Sequence, residues 1–150
     1  MTFQEGCDFC EIVATEEPAR IITRGEKFVV FFPLEPATLG HTLVVPTDHI
    51  PDIWALDDAT ATMLTEATLR VARAVKTALS PEGLNIIQSN GAAATQTVQH
   101  LHVHVVPRWA GDSMGQIWPD EVTSLKSTIG EECRESDALR AIRDAMKVSE

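Results

Sequence analysis

Three histidines alternate with apolar residues in the run His100-Leu101-His102-Val103-His104. Strict alternation is the period of a β-strand with one buried face, and successive strand side chains point to opposite faces. The three imidazoles are therefore expected on one face, about 7 Å apart at the rise of a β-strand, with Leu101, Val103 and Val105 on the other. One histidine in a strand is ordinarily a satisfied core or edge residue. Three on one face need hydrogen-bond partners, and protonated together they would repel. Two chemistries fit such a row: a metal site, or a nucleophile with its helpers.

The pattern of the chain supplies elements to hold the row. It predicts the histidine strand over Thr97 to Val106, preceded by a small-residue loop from Ser89 to Gln96 and a strand from Leu84 to Gln88. Upstream, the β-rich runs Ala19 to Arg24 and Lys27 to Phe32 are split by Gly25-Glu26, a hairpin signal. After the loop Pro33-Leu34-Glu35-Pro36, residues Gly40 to Pro46 form a further strand. Asp57 or Asp58 caps a long helix to Leu79, whose core stripe is Leu64, Ala67, Val71, Ala74, Val75 and Ala78. Residues 1–19 read as an irregular or short helical start, and Ser136 to Met146 as a C-terminal helix. The whole is expected to be a single domain over residues 1–150, an α+β fold with a mostly antiparallel sheet, one long helix and a C-terminal helix.

Composition narrows the function. At 44% hydrophobic and 23% charged, the 150 residues have the balance of an ordinary globular protein. A formal charge of −10 argues against nucleic acid and anionic membrane surfaces as partners. A small anionic substrate stays possible, because helix N-termini and backbone amides hold phosphate even in an acidic protein. No apolar run approaches the roughly 20 residues of a membrane span. The early acidic residues Glu5, Asp8, Glu11, Glu16 and Glu17 are unlike a secretory signal, so a cytoplasmic protein is expected. Of three cysteines, Cys7 and Cys10 form a C-x-x-C and Cys133 reads as a lone thiol.

The cysteine pair is either half of a zinc site or two reduced core thiols. A closed tetrahedral site needs two more ligands, for which Cys₂His₂ is a common answer. His49, just past a strand end, and one histidine of the row are the candidates. For the nucleophile reading, an imidazole must be neutral, with one nitrogen free and the other held by donating to a carbonyl. The loop before the row, Ser89-Asn90-Gly91-Ala92-Ala93-Ala94-Thr95-Gln96-Thr97, offers small side chains and polar donors as a phosphate cradle.

With Gln96-Thr97-Val98 before it and Pro107-Arg108 after it, the row resembles the histidine triad (HIT) superfamily of nucleotidyl hydrolases and transferases. The resemblance runs over roughly residues 7 to 112, and includes Cys7-Asp8-Phe9-Cys10-Glu11-Ile12 and Pro36-Ala37-Thr38-Leu39-Gly40-His41-Thr42-Leu43-Val44-Val45-Pro46. It implies that His102 is the nucleophile that attacks an α-phosphate and forms a covalent nucleotidyl-histidine. It also implies that the His100 carbonyl orients His102 and that His104 contacts phosphate oxygens. Ser89, Asn90, Gln96 and Thr97 then lie by the phosphate and leaving group, and Phe9, Ile12, Phe31 and Leu34 line the pocket of a base, adenine or another purine. Structural zinc would take Cys7, Cys10, His49 and His100 as ligands, with no organic cofactor. A homodimer with a continuous sheet is implied too. His41 is read as structural support.

Three positions depart from the family pattern. Pro33 replaces an Asp or Asn that accepts from ribose hydroxyls, Ser89 replaces an Asn or Gln, and Thr95 replaces a glycine that allows a close approach or a positive-φ turn. The expected activity is cleavage of a nucleoside 5′-phosphoramidate, a dinucleoside polyphosphate or a related phosphoanhydride. The alternatives are a zinc-stabilised nucleotide-binding module with little catalysis, and metal-dependent hydrolysis at the row.

Overall fold

The computed structural model describes residues 2–15, 20–118 and 135–147. Cys133, Glu16 and Glu17, and the expected strand start at Ala19, lie outside the described residues. Two compact units divide the chain, Met1–Gly115 and Gln116–Glu150.

The first unit is built on a five-stranded antiparallel sheet. Its elements are α1 (Asp8–Ala14), β1 (Ile21–Arg24), β2 (Phe28–Phe31), β3 (Thr42–Pro46), α2 (Asp58–Leu79), β4 (Gly83–Ile87) and β5 (Val103–Arg108), and the strand order is β1-β2-β3-β5-β4. All four residues of β2 and all five of β3 are buried. That continuous burial marks a sheet covered on both faces. Phe28, Val30, Val44 and Val105 pack with Leu64, Ala67 and Val75 of α2, while Val29, Phe31, Leu43 and Val45 pack with Val13 of α1. His104 pairs with Leu43 across β3 and β5, which places it on the α1 face.

Local chemistry sets the bounds of α2. The Asp57 carboxylate accepts from the Thr60 amide at 2.9 Å and the Thr60 hydroxyl at 2.8 Å, which caps the start. The helix stops where Ser80 enters the left-handed region, at φ 47°. Ala74 and Ala78, expected in the core stripe, are exposed. Gly40 must be glycine: its φ is +77°, and a Cβ there would stand 2.4 Å from Leu79 Cδ1 at the end of α2.

The histidine strand is shorter than the alternation predicts. It begins at Val103, so His100, Leu101 and His102 precede it. Continued past Val44↔Val103, the register would bring in Pro46, which has no N–H to donate. The Leu101 amide donates instead to the Ile50 carbonyl at 2.6 Å. The apolar half of the pattern persists regardless, since Leu101, Val103 and Val105 all join the α2-side core. In the second unit, α3 spans Glu135–Lys147, and Leu139, Ile142 and Met146 on it are exposed. No helix among the described residues is long and apolar enough to cross a membrane.

Candidate active site

The site is assembled on the α1 face from the first helix, the ends of β3 and the approach to β5. Cys7 is the residue before α1 and Cys10 lies on its first turn, so the C-x-x-C spacing brings both thiols to one place, and both are buried. His49 and His100 complete a cluster whose four ligand atoms lie within 4.8 Å of one another. His100 Nδ1 stands 3.6 Å from Cys7 Sγ and 3.5 Å from Cys10 Sγ, and His49 Nδ1 stands 3.4 Å from Cys10 Sγ. A tetrahedral zinc ion with ordinary Zn–S and Zn–N bonds needs S···N edges of about 3.5 Å. The residues fit the metal. His100 Nε2 lies 2.9 Å from the Pro46 carbonyl, which can only accept, so the ring carries its proton on Nε2 and leaves Nδ1 free to ligate. The Gln4 amide donates to Cys10 Sγ at 3.4 Å, as expected beside a thiolate ligand. With four protein ligands zinc would have no open position and would supply cohesion to the fold.

The other histidines are fixed by the same logic. His102 Nδ1 is 2.7 Å from the His100 carbonyl, so Nδ1 holds the proton and Nε2 has a free lone pair. The Ala37 amide donates to His41 Nδ1 at 3.0 Å, which leaves the proton of neutral His41 on Nε2. That proton is donated to His104 Nδ1 at 2.8 Å. Neutral His104 therefore keeps its own proton on Nε2. A free lone pair on His102 and an N–H on His104 are carried by rings whose centroids are 4.8 Å apart.

The three imidazoles keep the expected face: Phe9 of α1 lies against both His100 and His102, and His104 adjoins His102, opposite Leu101, Val103 and Val105. His102 and His104 stand together, while His100 turns its ring to the cysteines and offers its carbonyl to His102.

Burial holds these imidazoles neutral. It pushes His104 down to about 4, with the nearby His102 and His41 rings adding to the effect. Burial likewise lowers His41, His100 and His102, the last against the opposing pull of the His100 carbonyl. A neutral ring is what both a nucleophile and a metal ligand require.

The remaining expected residues divide. Phe9 and Ile12 pack against Phe31 on the α1 side of the sheet, and Phe9 also lies edge-on to His102, with centroids 5.0 Å apart at 90°. Leu34 stands apart from that cluster, 77% exposed. Gln96 is buried and fully occupied: its Oε1 accepts from the Gly91 amide at 2.8 Å, and its Nε2 donates to the Pro51 and Val98 carbonyls at 2.7 and 3.0 Å. Asn90 accepts from the Ile53 amide at 2.7 Å and donates to Gln88 at 2.6 Å. These two side chains brace the loop from within. Ser89 is half-buried and Thr97 exposed, and Thr95 sits in the left-handed region at φ 66°. Sequence reasoning missed the main-chain partners, the Pro46 carbonyl and the Ala37 amide, because backbone groups leave no residue signature. A groove of about 780 Å³ lies between α2 and β1–β3 and has no histidine in its lining.

Comparison with known proteins agrees with this arrangement. The model of the HIT domain matches residues 14–111. The chain belongs to the HIT domain family. The matched span contains the whole histidine row of this HIT domain, and its cysteine turn lies outside it. A crystal structure of a HIT family member from Bacillus subtilis superposes with a TM-score of 0.78 at 30% identity, covering 95% of this chain and 96% of that one. A zinc-bound histidine triad family protein from Mycobacterium smegmatis superposes with a TM-score of 0.67 at 34% identity, covering 97% and 98%. A relative from Schizosaccharomyces pombe named adenosine 5′-monophosphoramidase is 30% identical over 84% of this chain and 94% of its own.

Proposed function

We propose that this HIT protein is a nucleotide hydrolase or nucleotidyltransferase that works through a covalent nucleotidyl-His102. One observation carries the reading: the Nδ1–H of His102 is committed to the His100 carbonyl at 2.7 Å, which leaves Nε2 as a nucleophile. Its lone pair attacks the α-phosphorus, a P–Nε2 bond forms, and the bond from phosphorus to the leaving nitrogen or oxygen breaks. The leaving group departs with that electron pair and takes its proton from solvent, while the Nε2–H of His104 donates a hydrogen bond to a phosphate oxygen. The attacked ring becomes cationic, and the His100 carbonyl dipole stabilises the charge. Water then attacks phosphorus, the P–N bond returns its electrons to Nε2, and a nucleoside monophosphate is released.

The substrate class is a nucleoside 5′-phosphoramidate, a dinucleoside polyphosphate or a related phosphoanhydride. The S. pombe relative's name supports a purine phosphoramidate. Phe9, Ile12, Phe31 and Leu34 are assigned to the base, and Ser89, Thr97 and His104 to the phosphate side, with Asn90 and Gln96 holding the loop that carries it. Zinc is assigned to Cys7, Cys10, His49 and His100, supported by their spacing and by the zinc-bound relative. The protein is further assigned as a single-domain homodimer of the cytoplasm, where Cys7 and Cys10 stay reduced.

The test is release of nucleoside monophosphate from a panel of phosphoramidates and dinucleoside polyphosphates, by wild type and by His102→Ala. Wild type should turn over at least one substrate and His102→Ala should fall to background, with nucleotide affinity retained. Turnover by His102→Ala overturns the covalent mechanism. Nucleotide binding without release by wild type would leave a zinc-stabilised binding module, with Pro33 as the first residue to restore.

A further inference from the structure

We propose that the cysteine turn positions the His102 imidazole, with Phe9 as the positioning residue it carries. This rests on the assignment of His102 as nucleophile. Phe9 lies between the two thiols in sequence and touches three rings. Its centroid is 5.0 Å from His102 at 90°, 6.0 Å from His100 at 65° and 5.4 Å from Phe31 at 75°. Phe31 is buried in β2 and cannot yield, so the Phe9 ring is a wedge between a fixed strand and the nucleophile. His104 closes another side of the His102 ring at 4.8 Å.

His100 reaches the same imidazole by a second route. Its ring is held at both nitrogens, by the Pro46 carbonyl at 2.9 Å and by the thiols at 3.5 and 3.6 Å, while its carbonyl holds His102 Nδ1. The peptide that fixes the nucleophile's tautomer is therefore anchored through the metal cluster. The helix that bears Phe9 is held at its C-terminal end, where Arg24 donates to the Val13 carbonyl at 2.8 Å and Val13 packs in the core. Its N-terminal turn is anchored through the cysteines. α1 has seven residues, and Cys7 at its N-cap makes no side-chain capping bond. A helix this short does not hold its own geometry. Loss of the cation would release the turn, and both supports of His102 would loosen.

The experiment uses ¹⁵N-histidine-labelled full-length protein without nucleotide. The His102 Nδ1–H resonance is compared in zinc-loaded wild type, chelator-treated wild type, and zinc-loaded Phe9→Ala and Phe9→Leu. Chelation and Phe9→Ala should each broaden or remove that resonance and mix the His102 tautomers, while the His41–His104 signal persists. In turnover, Phe9→Ala should lower kcat by about tenfold or more, beyond any rise in KM from its place by the base, since small misplacements of reacting groups are costly. Phe9→Leu should recover most of the loss. An unchanged His102 resonance overturns the proposal, as does a raised KM with intact kcat, which would assign Phe9 to the base alone. Where chelation unfolds the chain, the two zinc-loaded Phe9 variants decide. The resonance is read without substrate, so failure to find any turnover leaves this test standing.

Discussion

At the scale of residues, the site works by giving each imidazole one partner with a fixed role. Carbonyls at Pro46 and His100 can only accept and the Ala37 amide can only donate, so neutral rings are locked into set tautomers. The types and spacing of the histidines announce a site in the sequence, but those partners are main-chain atoms that no residue type marks. The same burial makes a prediction about pH. His104 is held near 4 by burial and by the His102 and His41 rings, against an ordinary value of 6.5. Between these values the unfolded chain takes up a proton that the folded chain refuses, so the His104 contribution to stability is constant above pH 6.5 and falls as pH drops toward 4. Denaturant unfolding of wild type across that window should show a steeper loss than His104→Asn, and equal slopes would reject it. Removing His41 takes away one of the causes, so His41→Ala should raise the His104 midpoint in an NMR titration.

At the scale of elements, local chemistry was legible and tertiary competition was not. The bounds of α2 follow from the Asp57 cap and the Leu64–Ala67–Val71 periodicity, both contained in the helix itself. The apolar half of the histidine run also reads correctly, because Leu101, Val103 and Val105 serve one core whether or not the ladder is formed. Where β5 begins depends on Pro46, more than fifty residues away in the sequence. The zinc alternative stayed open for the same reason, since only the fold brings Cys7 and Cys10 to His49 and His100. Thr95 was legible in part: a residue that replaces a glycine does adopt a positive φ, 66°, after the short 3₁₀ turn Ala92–Ala94. A β-branched residue there is strained by roughly 1–2 kcal/mol, and glycine gives back part of that gain in chain entropy. Thr95→Gly should stabilise the protein by about 0.5–1 kcal/mol, raising Tm by roughly 1–4 °C for a chain of this size. A lower Tm in thermal unfolding would show that Thr95 makes compensating contacts.

At the scale of the whole molecule, the unfinished part of the first unit is its β4 edge. β4 is the last strand of the sheet and pairs with β5 alone, so one row of its backbone groups is unpartnered among the described residues. Leu84 and Ile86 project from one face of it, 36% and 50% exposed, and the neighbouring Leu69 of α2 and Ile53 are 48% and 50% exposed. An apolar groove of about 500 Å³ runs between them, lined by Leu56, Leu64, Leu69, Ile86, Leu101 and Val103. An exposed apolar edge without blocking charges is a template for strand pairing, and a twofold axis through it would let one surface satisfy itself in both copies. That is the physical basis for the proposed homodimer with a continuous sheet. Ile86→Lys should break it. Losing a buried Ile removes about 1.5–3 kcal/mol per copy, and the substitution enters the interface twice. Dimer association should therefore weaken by roughly a hundredfold or more, and sedimentation velocity at micromolar protein should show a folded monomer. Wild type sedimenting as a monomer under the same conditions would remove the dimer from the proposal, and a dimeric Ile86→Lys would place the interface on another face.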